Sequence, residues 1–143
     1  MHTIVLVEDD PIISHLYRTK FASEGFQVEL AEDGLKALKL LATAKPDLIV
    51  LDLMLPILSG VDVLKYVRSR PDLKSLPVIL LSEAYMSDLA AAAAAVGVQQ
   101  TLLKSACTPN LLLGIVNDLL AGRPCLIDPS LQLAVSTTPV NPA

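Results

Sequence analysis

Cysteine is scarce in this chain, and the two present, Cys107 and Cys125, stand at no spacing that suits a metal site or a redox pair. Reduced thiols are therefore expected, not a disulfide framework. Apolar runs long enough to cross a bilayer are missing too, and Met1 leads straight into a strand-like stretch without the regions of a secretory signal. A cytoplasmic protein with no membrane partner is the expectation. Positive charge is in short supply: 11 Lys and Arg against 15 Asp and Glu give a net charge of −4, which argues against nucleic acid as a direct partner. No internal repeat is visible.

What the chain does have is apolar mass. Its 143 residues are 52% hydrophobic and 18% charged, enough for one domain with a proper core. The stretch Leu48-Ile49-Val50-Leu51 is apolar at every position and stops on Asp52, after which Pro56 and Gly60 turn the chain. Such a run suits a strand buried on both faces of a parallel sheet. Thr3 to Val7 and Val78 to Leu81 read the same way, Thr101 to Leu103 is a shorter strand, and Phe26 to Leu30 alternates like an edge strand. Between them lie helical stretches. Asp10-Pro11 opens one whose apolar face is Ile13, Leu16, Tyr17 and Phe21, and Gly25 closes it. Asp33-Gly34 starts a second, with Leu35, Leu38 and Ala42 turned inward. Val61 to Ser69 is a third, the alanine-rich Ser87 to Val96 a fourth, and Thr108-Pro109 caps a fifth that runs to Leu120. Strand and helix alternate five times, so the fold class is α/β: a parallel sheet with helices on both faces. From Arg123 the prolines and loose alternation read as a linker or tail, leaving residues 1–122 as the domain and 123–143 outside it.

Four strands end on chemistry: Glu8-Asp9, Asp52, Ser82 and Lys104. Strands often end on polar residues because the chain meets solvent there, and that accounts for one or two such ends. It accounts less well for three carboxylates, a hydroxyl and an amine at one edge, where ligands of open α/β sheets bind. Crowded carboxylates repel unless a cation intervenes, and Mg²⁺ suits a shallow site of oxygen ligands. In such a site an ionised carboxylate needs no general base to attack phosphorus, and Mg²⁺, Lys104 and Ser82 would each take a peripheral oxygen. An acyl phosphate would result.

Over Ile4 to Leu120 the chain resembles the receiver domains of bacterial two-component response regulators. Val7-Glu8-Asp9-Asp10-Pro11 is similar to the family's acidic pair after the first strand, and Leu51-Asp52-Leu53-Met54-Leu55-Pro56 with Gly60 to its phosphoacceptor signature. Ser82 follows Asp52 by 30 residues and Lys104 follows Ser82 by 22, the family's usual spacing. The resemblance implies a flavodoxin-like, doubly wound five-stranded sheet in the order 2-1-3-4-5 with five helices. It implies that Asp52 accepts a phosphoryl group from a phosphohistidine on a sensor histidine kinase or histidine phosphotransfer protein. Glu8, Asp9, Asp52 and the backbone carbonyl of Met54 would hold Mg²⁺, while Ser82 and Lys104 would bind the phosphoryl group. Such a domain is a phosphoacceptor that assists its own phosphorylation and dephosphorylation, not a classical enzyme.

Three positions depart from the family pattern. Ser105 follows Lys104 where a cis proline is usual; a cis bond before serine would cost about 2.5–4 kcal/mol, so a trans bond and a reshaped loop are expected. Thr101 replaces a switching aromatic. Glu83 replaces a small residue, where its charge would repel a phosphodonor or obstruct hydrolysing water. These departures keep a second reading open, a receiver fold working as a phosphorylation-independent docking or dimerisation module. A phosphatase of the haloacid dehalogenase type needs an acid where Met54 stands, and the acids at 8–10 would repel the phosphate of a flavin.

Among single residues, His2 and His15 are expected at the surface or in packing. Cys107 is a plain cysteine, with a lowered thiol pKa the less favoured reading. Lys65, Arg68, Arg70 and Lys74 are expected on a solvated helix face. For Ala90 to Ala95 two readings stand level: close packing on the sheet, or a flat docking surface. In the family the face of the fourth helix, fifth strand and fifth helix serves that second purpose, including homodimer formation.

Overall fold

Three runs of Val, Ile and Leu are apolar on both sides and so need a helical layer on each face, and two edge strands of more polar sequence complete one parallel sheet. In a computed structural model describing residues 2–83 and 87–122, the strands are β1 (Thr3–Val7), β2 (Gln27–Ala31), β3 (Leu48–Asp52), β4 (Val78–Ser82) and β5 (Gln100–Leu103). They lie in the order β2-β1-β3-β4-β5. The helices are α1 (Pro11–Ser23), α2 (Gly34–Thr43), α3 (Gly60–Ser69), α4 (Ser87–Val96) and α5 (Pro109–Leu120). The fold is thus the doubly wound, flavodoxin-like α/β sheet that the resemblance implies, in that strand order.

Alternation along the strands divides the core in two. Val5, Val7, Ile49, Leu51, Val78 and Leu80 pack with Ala37, Leu41, Leu64, Val67, Ala90 and Ala93 from α2, α3 and α4. Ile4, Leu6, Leu48, Val50, Ile79 and Leu81 pack with Tyr17, Phe21, Leu112, Ile115 and Val116 from α1 and α5. The chain starts at β1, winds one way to β2, then crosses back to β3. The order therefore reverses between β1 and β3, which opens a crevice beyond their carboxyl ends.

Helix ends follow the local chemistry. Asp10 accepts from the amides of Ile12 and Ile13 with Pro11 as the first helical residue, and Thr108 accepts from the amide of Leu111 before Pro109. Ser59 and Asp62 form a reciprocal capping box on α3.

Some expected faces are rotated. In α1 Leu16 is half exposed and Ser14 is buried beside Tyr17 and Phe21. In α2 the inward positions are Gly34, Ala37 and Leu41; Leu35 and Ala42 point outward, and Leu38 is only partly covered. The small residues face in because α2 lies close to the sheet and to the loop before α3, leaving little room for a leucine at its start. Arg68 does not lie on a solvated face with Lys65 and Lys74. Its Nε donates to the Gly97 carbonyl at 3.0 Å, Nη1 to the carbonyls of Lys74 (3.0 Å) and Leu76 (2.7 Å), and Nη2 to Gln99 Oε1 (3.2 Å). It ties the end of α3 to the segments that lead into β4 and β5. In α4 Ala90 and Ala93 are fully buried and Ala91, Ala92 and Ala95 are exposed, so one face satisfies the close-packing reading. His2 sits against Phe26 and Asp47 at the surface. Cys125 and the tail from Arg123 lie outside the described residues.

Candidate functional site

Asp52 ends β3 and is 3% exposed. Its Oδ1 accepts from the Met54 amide at 3.2 Å and its Oδ2 from Lys104 Nζ at 2.8 Å. Glu8 lies one residue beyond β1, with its side chain fully covered. Its Oε2 accepts from the Asp10 amide at 3.1 Å and from Lys104 Nζ at 2.9 Å, while its Oε1 is buried with no hydrogen-bond partner. Lys104 follows β5, and its four-carbon stem spans β4 to reach carboxylates on both β3 and β1. Asp9 is exposed, and one carboxylate oxygen each from Glu8, Asp9 and Asp52 lie within 4.8 Å of one another. Four sequence-selected residues thus meet at the crevice.

Electrostatics follow from this crowding. Burial and then the Asp52 charge push the Glu8 carboxyl up to about 7, against the hydrogen bonds it accepts from Lys104 and Asp10. For Lys104, burial opposes the charge, but the hydrogen bonds to Asp52 and Glu8 outweigh it and hold the ammonium above its ordinary range. Three acids against one amine leave an excess of negative charge, and Glu8 Oε1 is an acceptor without a donor. A hard cation supplies what both lack. The donor set, all oxygen and partly solvent-facing, fits Mg²⁺.

The remaining candidates take more particular positions. Ser82 ends β4, and its hydroxyl donates to the Glu83 carbonyl at 3.2 Å rather than to Asp52. Glu83 is half-buried beside it. Met54 shows its side chain to solvent. All peptide bonds among the described residues are trans, as expected for a serine after Lys104, and Lys104–Ala106 winds into a single 3-10 turn with Ser105 exposed. Tyr17 anchors that turn through its hydroxyl, which donates to the Cys107 carbonyl at 2.8 Å. Cys107 is itself buried, and burial pushes its thiol up to about 11, the reverse of the activated reading. Thr101 is buried, and its Oγ1 also has no partner.

Two glycines lie tightly against the acceptor loop. A Cβ on Gly60 would lie 2.5 Å from the Asp52 carbonyl oxygen, and the Gly60 amide donates to the Leu53 carbonyl at 2.9 Å. Gly34 stands equally close to Leu58. Leu58 donates its amide to the Pro56 carbonyl at 2.8 Å across Ile57, whose φ is +71°. Sequence reasoning placed a turn here but neither this strain nor the contact with α2. Pro56 and Gly60 were the visible signals, and nothing in the sequence connects them to Gly34.

A doubly wound parallel sheet with an acidic cluster and a lysine at its switch point defines a class of proteins, and comparison narrows it. The model of the response regulator receiver domain matches residues 4–117. The chain belongs to that family. The response regulator MprA of Mycobacterium sp. (strain KMS) is 40% identical over 79 residues, 55% of this chain and 34% of that protein. The matched part is thus about a third of the length of that curated relative. The signal receiver domain of a signal transduction histidine kinase from Syntrophus aciditrophicus superposes with a TM-score of 0.79 at 28% identity, covering 94% of this chain and 99% of that one. The Mn²⁺-bound form of response regulator Rcp1 has a TM-score of 0.76 at 28% identity, covering 89% and 100%. Among the described residues, no helix is long and apolar enough to cross a membrane.

Proposed function

We propose that this domain accepts a phosphoryl group on Asp52 in a two-component phosphorelay, from a phosphohistidine on a sensor histidine kinase or histidine phosphotransfer protein. The observation that carries the reading is Lys104 Nζ bonded to both Asp52 and Glu8 while Glu8 Oε1 lacks any donor. A site built only for stability would not bury an acid oxygen without a donor. An ionised Asp52 oxygen attacks the phosphorus, the P–N bond breaks, and its electron pair returns to the imidazole of the donor. Lys104 takes a peripheral oxygen as its hold on the Asp52 carboxylate loosens. The Ser82 hydroxyl takes another by rotating off the Glu83 carbonyl. Glu8, Asp9, Asp52 and the Met54 carbonyl would hold Mg²⁺, which supplies charge neutralisation at the phosphoryl oxygens. The Mn²⁺-bound relative supports a divalent ion here.

We assign residues 1–122 to the receiver and 123–143 to a linker or tail. Output then runs through protein contacts, including a homodimer across α4, β5 and α5, in the cytoplasm, with no direct nucleic acid. The test is mass spectrometry after incubation with acetyl phosphate and Mg²⁺: the wild type gains one phosphoryl mass and Asp52→Asn gains none. An unmodified wild type refutes the proposal.

One observation favours a second reading. Thr101, buried and small, offers no ring to swing inward, and Ser105 lies in a 3-10 turn. A docking module indifferent to phosphorylation would show the same self-association or partner binding with and without beryllofluoride. A phosphorylation switch would change it.

A further inference from the structure

The loop between β3 and α3 is held in an unfavourable conformation by an element the acceptor chemistry does not use. Leu58 N–H closes onto the Pro56 carbonyl at 2.8 Å, and Ile57 between them has φ +71°. A three-residue turn of this hand is rare and strained, and a β-branched residue is the poorest choice for positive φ. Ile57 recovers nothing by packing, because it is 71% exposed. Local preferences would let the turn relax, so a contact outside it must oppose relaxation.

That contact is the first residue of α2. The Gly34 amide, one of the helix's unpaired first-turn donors, points at the Pro56 carbonyl at 3.5 Å, the same oxygen that closes the turn. A Cβ on Gly34 would lie 2.5 Å from Leu58 Cβ and 2.9 Å from its carbonyl carbon. Leu58 therefore occupies the space that any other residue would need. Gly34 has no positive φ, so its glycine answers to proximity, not to backbone conformation. Asp33 fixes the helix end by accepting from the Lys36 amide at 2.7 Å. On its far side the same loop begins at Leu53 and Met54, directly after Asp52.

We propose that Gly34 is a positioning residue for the phosphoacceptor loop: by admitting Leu58 against the start of α2, it holds the strained 56–58 turn and, through it, the Met54 backbone beside Asp52. This rests on the phosphoacceptor reading above. The test measures Mg²⁺ affinity by calorimetry and phosphoryl uptake from acetyl phosphate for wild type, Gly34→Ala, Leu58→Gly and the control Gly114→Ala, with far-UV circular dichroism throughout. Gly114 is helical with open space where its Cβ would go. Gly34→Ala is expected to weaken Mg²⁺ binding about ten-fold, in line with the loss on removing a group that orients metal ligands. Leu58→Gly empties the contact instead of crowding it, at a half-buried position. It is expected to weaken binding in the same direction by about three-fold, the smaller loss of a support relaxed rather than displaced. Gly114→Ala leaves binding unchanged. A folded Gly34→Ala or Leu58→Gly with wild-type Mg²⁺ affinity and uptake overturns this inference alone. A wild type that neither binds Mg²⁺ nor takes up phosphate overturns it together with the phosphoacceptor reading.

Discussion

Raising the pH should destabilise this domain when no divalent ion is present, and Glu8 is the reason. Its carboxyl titrates near 7 in the folded protein against 4.5 for an ordinary glutamate, because burial and the Asp52 charge both disfavour ionisation. The folded state thus holds the proton more tightly than the unfolded chain. The resulting stabilisation is complete below 4.5 and is lost as pH rises through about 7. At about 1.4 kcal/mol per pH unit, the shift is worth on the order of 3 kcal/mol. The assay is urea unfolding followed by circular dichroism at intervals from pH 5 to pH 8 in EDTA, for wild type and Glu8→Gln. Glutamine cannot ionise, so the variant should lack this part of the slope, and the two proteins should diverge as pH rises, with the variant the more stable. Saturating Mg²⁺ should flatten the wild-type profile, since bound cation favours the ionised form. Parallel pH profiles for wild type and Glu8→Gln would refute the reasoning.

Three further outcomes follow from particular contacts. Lys104→Met removes the cation from between two buried carboxylates and should cost about 3 kcal/mol in EDTA, with part of the loss restored by Mg²⁺ and with phosphoryl uptake abolished. Unfolding curves with and without the ion check this. Thr101→Val keeps shape but deletes a buried hydroxyl that has no partner, so chemical denaturation should show a gain of about 1 kcal/mol. Arg68→Ala strips donors from the carbonyls of Lys74, Leu76 and Gly97. It should lower stability by about 2–3 kcal/mol while Mg²⁺ affinity at the distant site stays unchanged, measured by unfolding and calorimetry together.

Local sequence carried much of this domain. Apolar runs bounded by acids and prolines decide strand positions, because a strand buried on both faces leaves no room for polar residues. Asp10-Pro11, Asp33-Gly34 and Thr108-Pro109 decide helix starts, because capping is satisfied within a few residues. From those two rules, the acids, Ser82 and Lys104 all fall at strand ends. The rotation of α2 could not be read off, since Leu35, Leu38 and Ala42 form a face as plausible as Gly34, Ala37 and Leu41 until a neighbour occupies one of them. Arg68 looked like any exposed basic residue because three of its four acceptors are backbone carbonyls, which every sequence possesses.

The order of residues along the chain determined the alternation of strands and helices and the chemistry at each strand end, for these depend on near neighbours and on burial. Only the tertiary structure decided that Lys104 crosses a strand to pair with two acids, that Glu8 keeps one oxygen without a donor, and that Gly34 meets Leu58. Those facts depend on which segments lie side by side, and packing of the whole chain settles that.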